Sequence, residues 1–196
     1  MLRSLPCALI SLLMLVACSK TERELVLQYG TVLPTPRPVA DFMLLDQNNI
    51  TFTNTDLHGS WTILFSGFTY CPDICPLTLG QLHAAEQQMT VQNQHKVIFV
   101  TVDPERDNPA GLKQYLQWFQ PRWIGLTGKP AELSTLLDSL GLSQVRIPST
   151  TAGNYSIEHS TAIVLLDPQG RMAAYWKAPL DTAQLAADFS ALPAPE

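Results

Sequence analysis

Trp61-Thr-Ile-Leu-Phe-Ser-Gly-Phe-Thr-Tyr-Cys-Pro-Asp-Ile-Cys-Pro76 sets an apolar strand directly against a cysteine pair and the start of a helix. Trp61 to Phe68 is a short apolar run of the kind buried in a sheet, and Leu77 to Val91 is helical in pattern. Strand-to-helix junctions at the carboxyl edge of a sheet are frequent sites of chemistry. Pro76 cannot donate a backbone hydrogen bond and suits the first helical position, which predicts Cys75 at the helix start, where amide dipoles favour a thiolate. Cys71 precedes Pro72, which biases it to an extended conformation in the loop. Two cysteines four apart in a regular helix have β-carbons ~5–6 Å apart, against ~3.8 Å in a disulfide. A looped Cys-x-x-x-Cys can instead gather two thiolates around a metal or close as a disulfide.

Working outward, the chain alternates strands and helices. Val39 to Leu45 and Ile50 to Thr53, separated by Asn48-Asn49, predict an opening β-hairpin. Lys96 to Val102 reads as a buried β-branched strand, and Trp123 to Leu126, Thr161 to Leu166 and Met172 to Trp176 complete the strands, the last two joined by an Asp167-Pro-Gln-Gly170 turn. Asn108 is placed to cap a helix with Pro109 at its first position, and Leu112, Tyr115, Leu116 and Phe119 form its apolar stripe. Leu133, Leu136, Leu137 and Leu140 repeat that spacing, with Gly141 to end the helix. Thr182 to Phe189 closes with a short helix. The pattern predicts an α/β fold with a mixed central sheet flanked by helices.

The ends carry different information. Arg3 is followed by an apolar run from Leu5 to Ala17, the length of a signal-peptide core and too short to span a bilayer. It ends in Leu15-Val16-Ala17-Cys18, which resembles the lipobox of bacterial lipoproteins. Residues 1–17 are therefore expected to be a cleaved signal peptide and Cys18 a lipidated residue anchoring the protein at a membrane of the bacterial cell envelope. Residues 18–38, ending in Pro34-Thr-Pro-Arg-Pro38, read as a flexible tether, residues 39–191 as the domain, and 192–196 as a tail. The whole chain has 196 residues, with 12 basic and 17 acidic. That balance offers no cationic field for phosphates, so nucleic acid is not an expected partner. Once the signal is removed and Cys18 is acylated, Cys71 and Cys75 are the remaining thiols, and in an exported compartment they must form a disulfide, a metal site or a redox couple.

Two soft thiolates suit monovalent copper, and an added imidazole makes a three-coordinate site that also tolerates the divalent state. Four histidines are candidates. His58, in an Asp56-Leu-His-Gly59 turn, and His95, in a polar loop, read as solvated surface residues. His83 lies eight residues after Cys75, ~11–12 Å along a regular helix, which is too far to share a ligand sphere. His159 ends a Gly/Ser/Thr-rich loop just before a strand, a position where histidine is more often structural than a ligand. Asp73, between the cysteines, would disfavour a thiolate but favour a bound cation. Asp103, before Pro104, is first of all a turn former and also a candidate for contact just outside the ligands. Phe68 and Tyr70 are candidates to shield the site or to pack in the core.

The chain resembles the Sco/SenC family of cytochrome c oxidase assembly proteins. The resemblance rests on Gly67-Phe-Thr-Tyr-Cys-Pro-Asp-Ile-Cys-Pro76, Val100-Thr-Val-Asp-Pro-Glu-Arg-Asp107, Ile124-Gly-Leu-Thr-Gly128, and Tyr155-Ser-Ile-Glu-His-Ser160 followed by Asp167-Pro-Gln-Gly170. Ile157-Glu158 stands where the family commonly has Val-Asp. The resemblance implies a thioredoxin-like fold, a copper site made by Cys71, Cys75 and His159 that takes Cu(I) and Cu(II), and a metallochaperone acting on the binuclear copper centre of cytochrome c oxidase subunit II. Other periplasmic copper carriers and thioredoxin-like reductants are further expected partners. The rival reading is a thiol-disulfide reductase using Cys71 and Cys75, although such enzymes typically use Cys-x-x-Cys. A peroxiredoxin-like peroxidase would need a Pro-x-x-x-Thr-x-x-Cys pattern, which Ser66-Gly-Phe-Thr-Tyr70 does not supply.

Overall fold

A computed structural model describes residues 24–89, 95–148 and 155–195. The signal peptide and Cys18 lie outside these residues. Eight strands form one mixed sheet in the order β1-β10-β9-β4-β5-β6-β2-β3. They are β1 (Thr31–Arg37), β2 (Met43–Asp46), β3 (Thr51–Thr53), β4 (Trp61–Gly67), β5 (His95–Thr101), β6 (Ile124–Thr127), β9 (Ile163–Leu166) and β10 (Met172–Trp176). β4, β5 and β6 are parallel, while β9 and β10 continue antiparallel from β4, and β2 and β3 do so from β6. Every residue of β4 is buried, as expected for a central strand covered on both faces.

Among the described residues four α-helices flank the sheet: α1 (Ile74–Gln88), α2 (Pro109–Leu116), α3 (Pro130–Ser139) and α4 (Thr182–Ser190). The Asn108 side chain caps α2 by accepting from the Gly111 amide, with Pro109 at the first position, so the local signal and the structure agree. α2 comes close to β6 because Gly125 has no side chain: a Cβ there would lie 2.9 Å from Leu116 Cδ1. Asp181 caps α4 in the same manner, accepting from the Gln184 amide.

Two features correct the sequence reading. Thr31–Arg37, read as part of a tether, is the edge strand β1, paired with β10. Its Pro34 and Pro36 suggested a linker, but proline is tolerated on a sheet edge, where an unpaired side needs no donor. The run before this strand is also fastened. The Asp188 carboxylate of α4 accepts from the backbone amides of Gln28 at 2.8 Å and Gly30 at 2.7 Å, and from Trp176 Nε1 at 2.9 Å. Second, His159 does not end a loop. It ends β8 (Tyr155–His159), which pairs with β7 (Gln144–Pro148) in a separate two-stranded sheet, with Gln144 opposite His159.

The structure also relocates His95. It is buried rather than solvated, with its Nε2 2.6 Å from Glu86 Oε1, and the same buried carboxylate receives Arg122 at 2.7 Å and Trp123 Nε1 at 2.8 Å. A paired and fully hydrogen-bonded carboxylate is the condition under which such a charge can be buried. His58 is exposed, as expected, and His83 packs edge-on to Trp123 on α1.

Candidate metal centre

β4 delivers the chain to the site, and the turn after it places Cys71, whose amide donates to the Phe68 carbonyl at 3.2 Å. Cys75 is the second residue of α1, and Asp73 is its N-cap. Pro76 is therefore in the first turn rather than at its first position, where its missing N–H still leaves no intrahelical bond unmade. The Cys75 amide donates to Cys71 Sγ at 3.4 Å. The helix N-terminus thus presents its N–H to the sulfur of Cys71, not to that of Cys75 as the sequence suggested.

His159 completes the group. Its Nε2 lies 3.3 Å from Cys75 Sγ, and its Nδ1 lies 2.9 Å from the Ser160 carbonyl. A carbonyl only accepts, so Nδ1 carries the proton and Nε2 keeps its lone pair facing the sulfur. This is the arrangement that orients a metal-binding imidazole. The ligand atoms of Cys71, Cys75 and His159 all lie within 4.8 Å of one another. With Cys75 Sγ and His159 Nε2 3.3 Å apart and no pair beyond 4.8 Å, small side-chain movements would let these three residues hold one metal ion. Both cysteines are free thiols.

The walls are apolar. Phe65 and Phe68 each set an edge against the His159 ring, with centroids 6.1 and 6.0 Å away. Phe68 is buried and does shield the site, whereas Tyr70 is 64% exposed and turns toward Arg106. This burial pushes the Cys75 thiol well above its ordinary range, the Cys71 side chain adding to the effect, and lowers the His159 imidazole below its usual value. Both groups are therefore uncharged at neutral pH before a metal arrives.

Gly67 makes room for the centre. A Cβ there would stand 2.9 Å from Cys75 Sγ and 2.8 Å from the ring of Phe99, which is fully buried and has nowhere to move. Gly67→Ala should therefore displace the sulfur and weaken metal binding by at least about tenfold, the scale of loss when a ligand's support is disturbed. Competition against a chelator of known affinity measures it, and undiminished affinity would show that the methyl is absorbed elsewhere.

The two aspartates singled out in the sequence do not reach the ligands. Asp73 is exposed and its side chain makes no capping bond. Asp103 is buried, accepts from the Tyr155 hydroxyl at 2.6 Å and pairs with Arg106. Arg106 in turn lies 3.8 Å over the Tyr155 ring, with Arg146 4.0 Å from the same ring. Tyr155 opens the strand that His159 ends, so Asp103 holds the histidine hairpin rather than the metal. Sequence reasoning missed Tyr155, Ser160 and Asp107, all of which lie in the quoted motifs beside residues that it did weigh.

The SCO1/SenC family model matches residues 32–193. A Stutzerimonas stutzeri protein named for inferred, not demonstrated, copper binding is 39% identical over 182 residues, 90% of this chain and 85% of that one. Bradyrhizobium japonicum ScoI with copper bound shares 35% identity at a TM-score of 0.70, covering 76% of this chain and 96% of its own. Arabidopsis thaliana ScoI with copper bound shares 30% identity at a TM-score of 0.73, covering 78% and 95%. The mixed sheet flanked by helices is the thioredoxin-like fold of these structures, and the chain belongs to the SCO1/SenC family.

Proposed function

We propose that this protein is a copper metallochaperone that serves the binuclear copper centre of cytochrome c oxidase subunit II. The observation that carries the reading is the gathering of two free thiols and one oriented imidazole within 4.8 Å. That donor set suits Cu(I) and, with the imidazole, Cu(II). Cys71 is only half-buried, so an incoming ligand from a recipient can reach the metal before the original ligands have all left. Copper in the two ScoI relatives supports the choice of metal, and the family resemblance supports the recipient. The test is metal analysis of the reduced, purified protein: one copper per chain is expected, and no copper at equimolar supply would overturn the reading.

Thiol-disulfide reduction is the second reading, favoured by the proximity of the two free thiols and the backbone N–H on Cys71 Sγ. It would act on the same recipient by reducing the cysteines that must hold copper.

The place of action is a membrane surface of the cell envelope, reached through an acylated Cys18. Among the described residues no helix is long and apolar enough to cross a membrane. Cys18→Ser should move the protein from the membrane fraction to the soluble fraction without changing its copper affinity. Fractionation followed by immunoblotting reads this out, and a membrane-bound variant with its signal removed would assign the anchoring to something other than lipid.

A further inference from the structure

Asp107 is 1% exposed, and the hydrogen bonds of its side chain go to residues other than the three ligands. Its Oδ2 accepts from the Thr69 amide at 3.0 Å and the Thr101 hydroxyl at 2.6 Å, and its Oδ1 accepts from the Thr69 hydroxyl at 2.5 Å. Its backbone carbonyl accepts from the Thr127 hydroxyl at 2.8 Å. Thr101 ends β5 and Thr127 ends β6, so one residue ties the turn after β4 to the carboxyl ends of the next two parallel strands, β5 beside β4 and β6 beyond it. Thr69 stands two residues before Cys71, inside the turn closed by the Cys71 amide on the Phe68 carbonyl.

These donors are all neutral. A buried carboxylate held only by neutral donors is an expensive way to stabilise a fold, since apolar residues of similar volume usually do as well or better. What it does supply is three acceptor positions in a fixed geometry at the place where the cysteine loop leaves the sheet. We propose that Asp107 is a positioning residue for Cys71: through Thr69 it fixes the turn that presents the Cys71 sulfur to Cys75 and His159. The role rests on the copper reading above and acts through geometry, not through charge on the metal.

Geometry and charge can be separated by substitution. In Asp107→Asn the amide oxygen can accept from the Thr69 amide and the Thr101 hydroxyl, while its NH2 faces the Thr69 hydroxyl, which can rotate to accept. Asparagine keeps the clamp and removes the charge. Asp107→Ala removes both, and Thr69→Val removes one bond while leaving the backbone bond in place.

The experiment uses the full chain, reduced, in two arms. Without metal, amide hydrogen exchange is followed at Thr69 and Cys71. With Cu(II), affinity and the thiolate-to-copper absorption band per bound copper are recorded. Asp107→Ala should speed exchange at Thr69 by more than about tenfold, weaken copper binding by about ten- to a hundredfold, as loss of ligand support does, and shift the band. Asp107→Asn should rescue all three readouts to within about twofold of the wild type, and Thr69→Val should fall between. If Asp107→Ala does not fold, Thr69→Val decides by the same band. An unshifted band in the folded variant would reduce Asp107 to a structural residue and overturn the proposal, as would an asparagine variant as impaired as alanine. If the wild type takes up no copper, the copper reading fails, and the metal-free arm still decides whether Asp107 holds the turn.

Discussion

Cys71→Ser/Cys75→Ser should abolish stoichiometric copper binding by the reduced protein, and each single substitution, including His159→Ala, should weaken it by more than about a hundredfold. Residues that only support a ligand contribute about ten- to a hundredfold, and these three supply the donor atoms themselves. Serine nearly keeps the volume but replaces a soft sulfur with a hard hydroxyl, which is a poor partner for Cu(I). Cys75 carries a second signature. Burial holds it as a thiol, so copper must displace its proton, and apparent affinity should climb with pH by up to about tenfold per unit for that proton. His159, pushed the other way, is already neutral at pH 7 and adds no further dependence there. Titration against a competing chelator at several pH values checks both parts. Unweakened binding in the double serine variant would remove the site from Cys71 and Cys75, and a flat pH profile would mean that Cys75 is not the group that gives up its proton.

How far the sequence could go follows from where the information sits. Sites written in local chemistry were legible: the apolar run of β4 meeting a proline-bounded cysteine pair, and Asn108-Pro109 opening α2. Sites that depend on distant partners were not. His95 looked polar and exposed among its neighbours, yet Glu86 on α1 and the ring of Phe189 on α4 enclose it. β1 was hidden by prolines whose compatibility with a sheet edge appears only once β10 is alongside. The β7–β8 hairpin was hidden because most of its residues are exposed, Ile157 alone being buried in β8, so no alternation marked it. His159 was assigned to the site through family resemblance and not through periodicity. Asp107 sits at the end of a quoted motif, but its meaning lies in Thr69, across a contact that spacing alone does not reveal.

His159→Ala should also divide the two functional readings, because the imidazole is needed to hold copper whereas thiol-disulfide exchange needs only the cysteine pair. As a chaperone, the variant should lose transfer of copper to a reduced subunit II domain while keeping much of its capacity to reduce a disulfide. As a reductase, the protein should become dispensable once the recipient is supplied already reduced with copper available, since reduction would be its whole contribution. The structure sharpens the expectation. Nε2 of His159 lies against Cys75 Sγ at 3.3 Å, while the contact between the cysteines is made separately through the Cys75 amide on Cys71 Sγ at 3.4 Å. Truncating the imidazole therefore removes a ligand and leaves that contact in place. The measurement is the absorption spectrum of the recipient's copper centre after incubation with wild-type protein, His159→Ala or no protein. Fast loading by the wild type alone supports delivery from a Cys71, Cys75 and His159 site, and equal loading in all three would transfer the assignment to reduction.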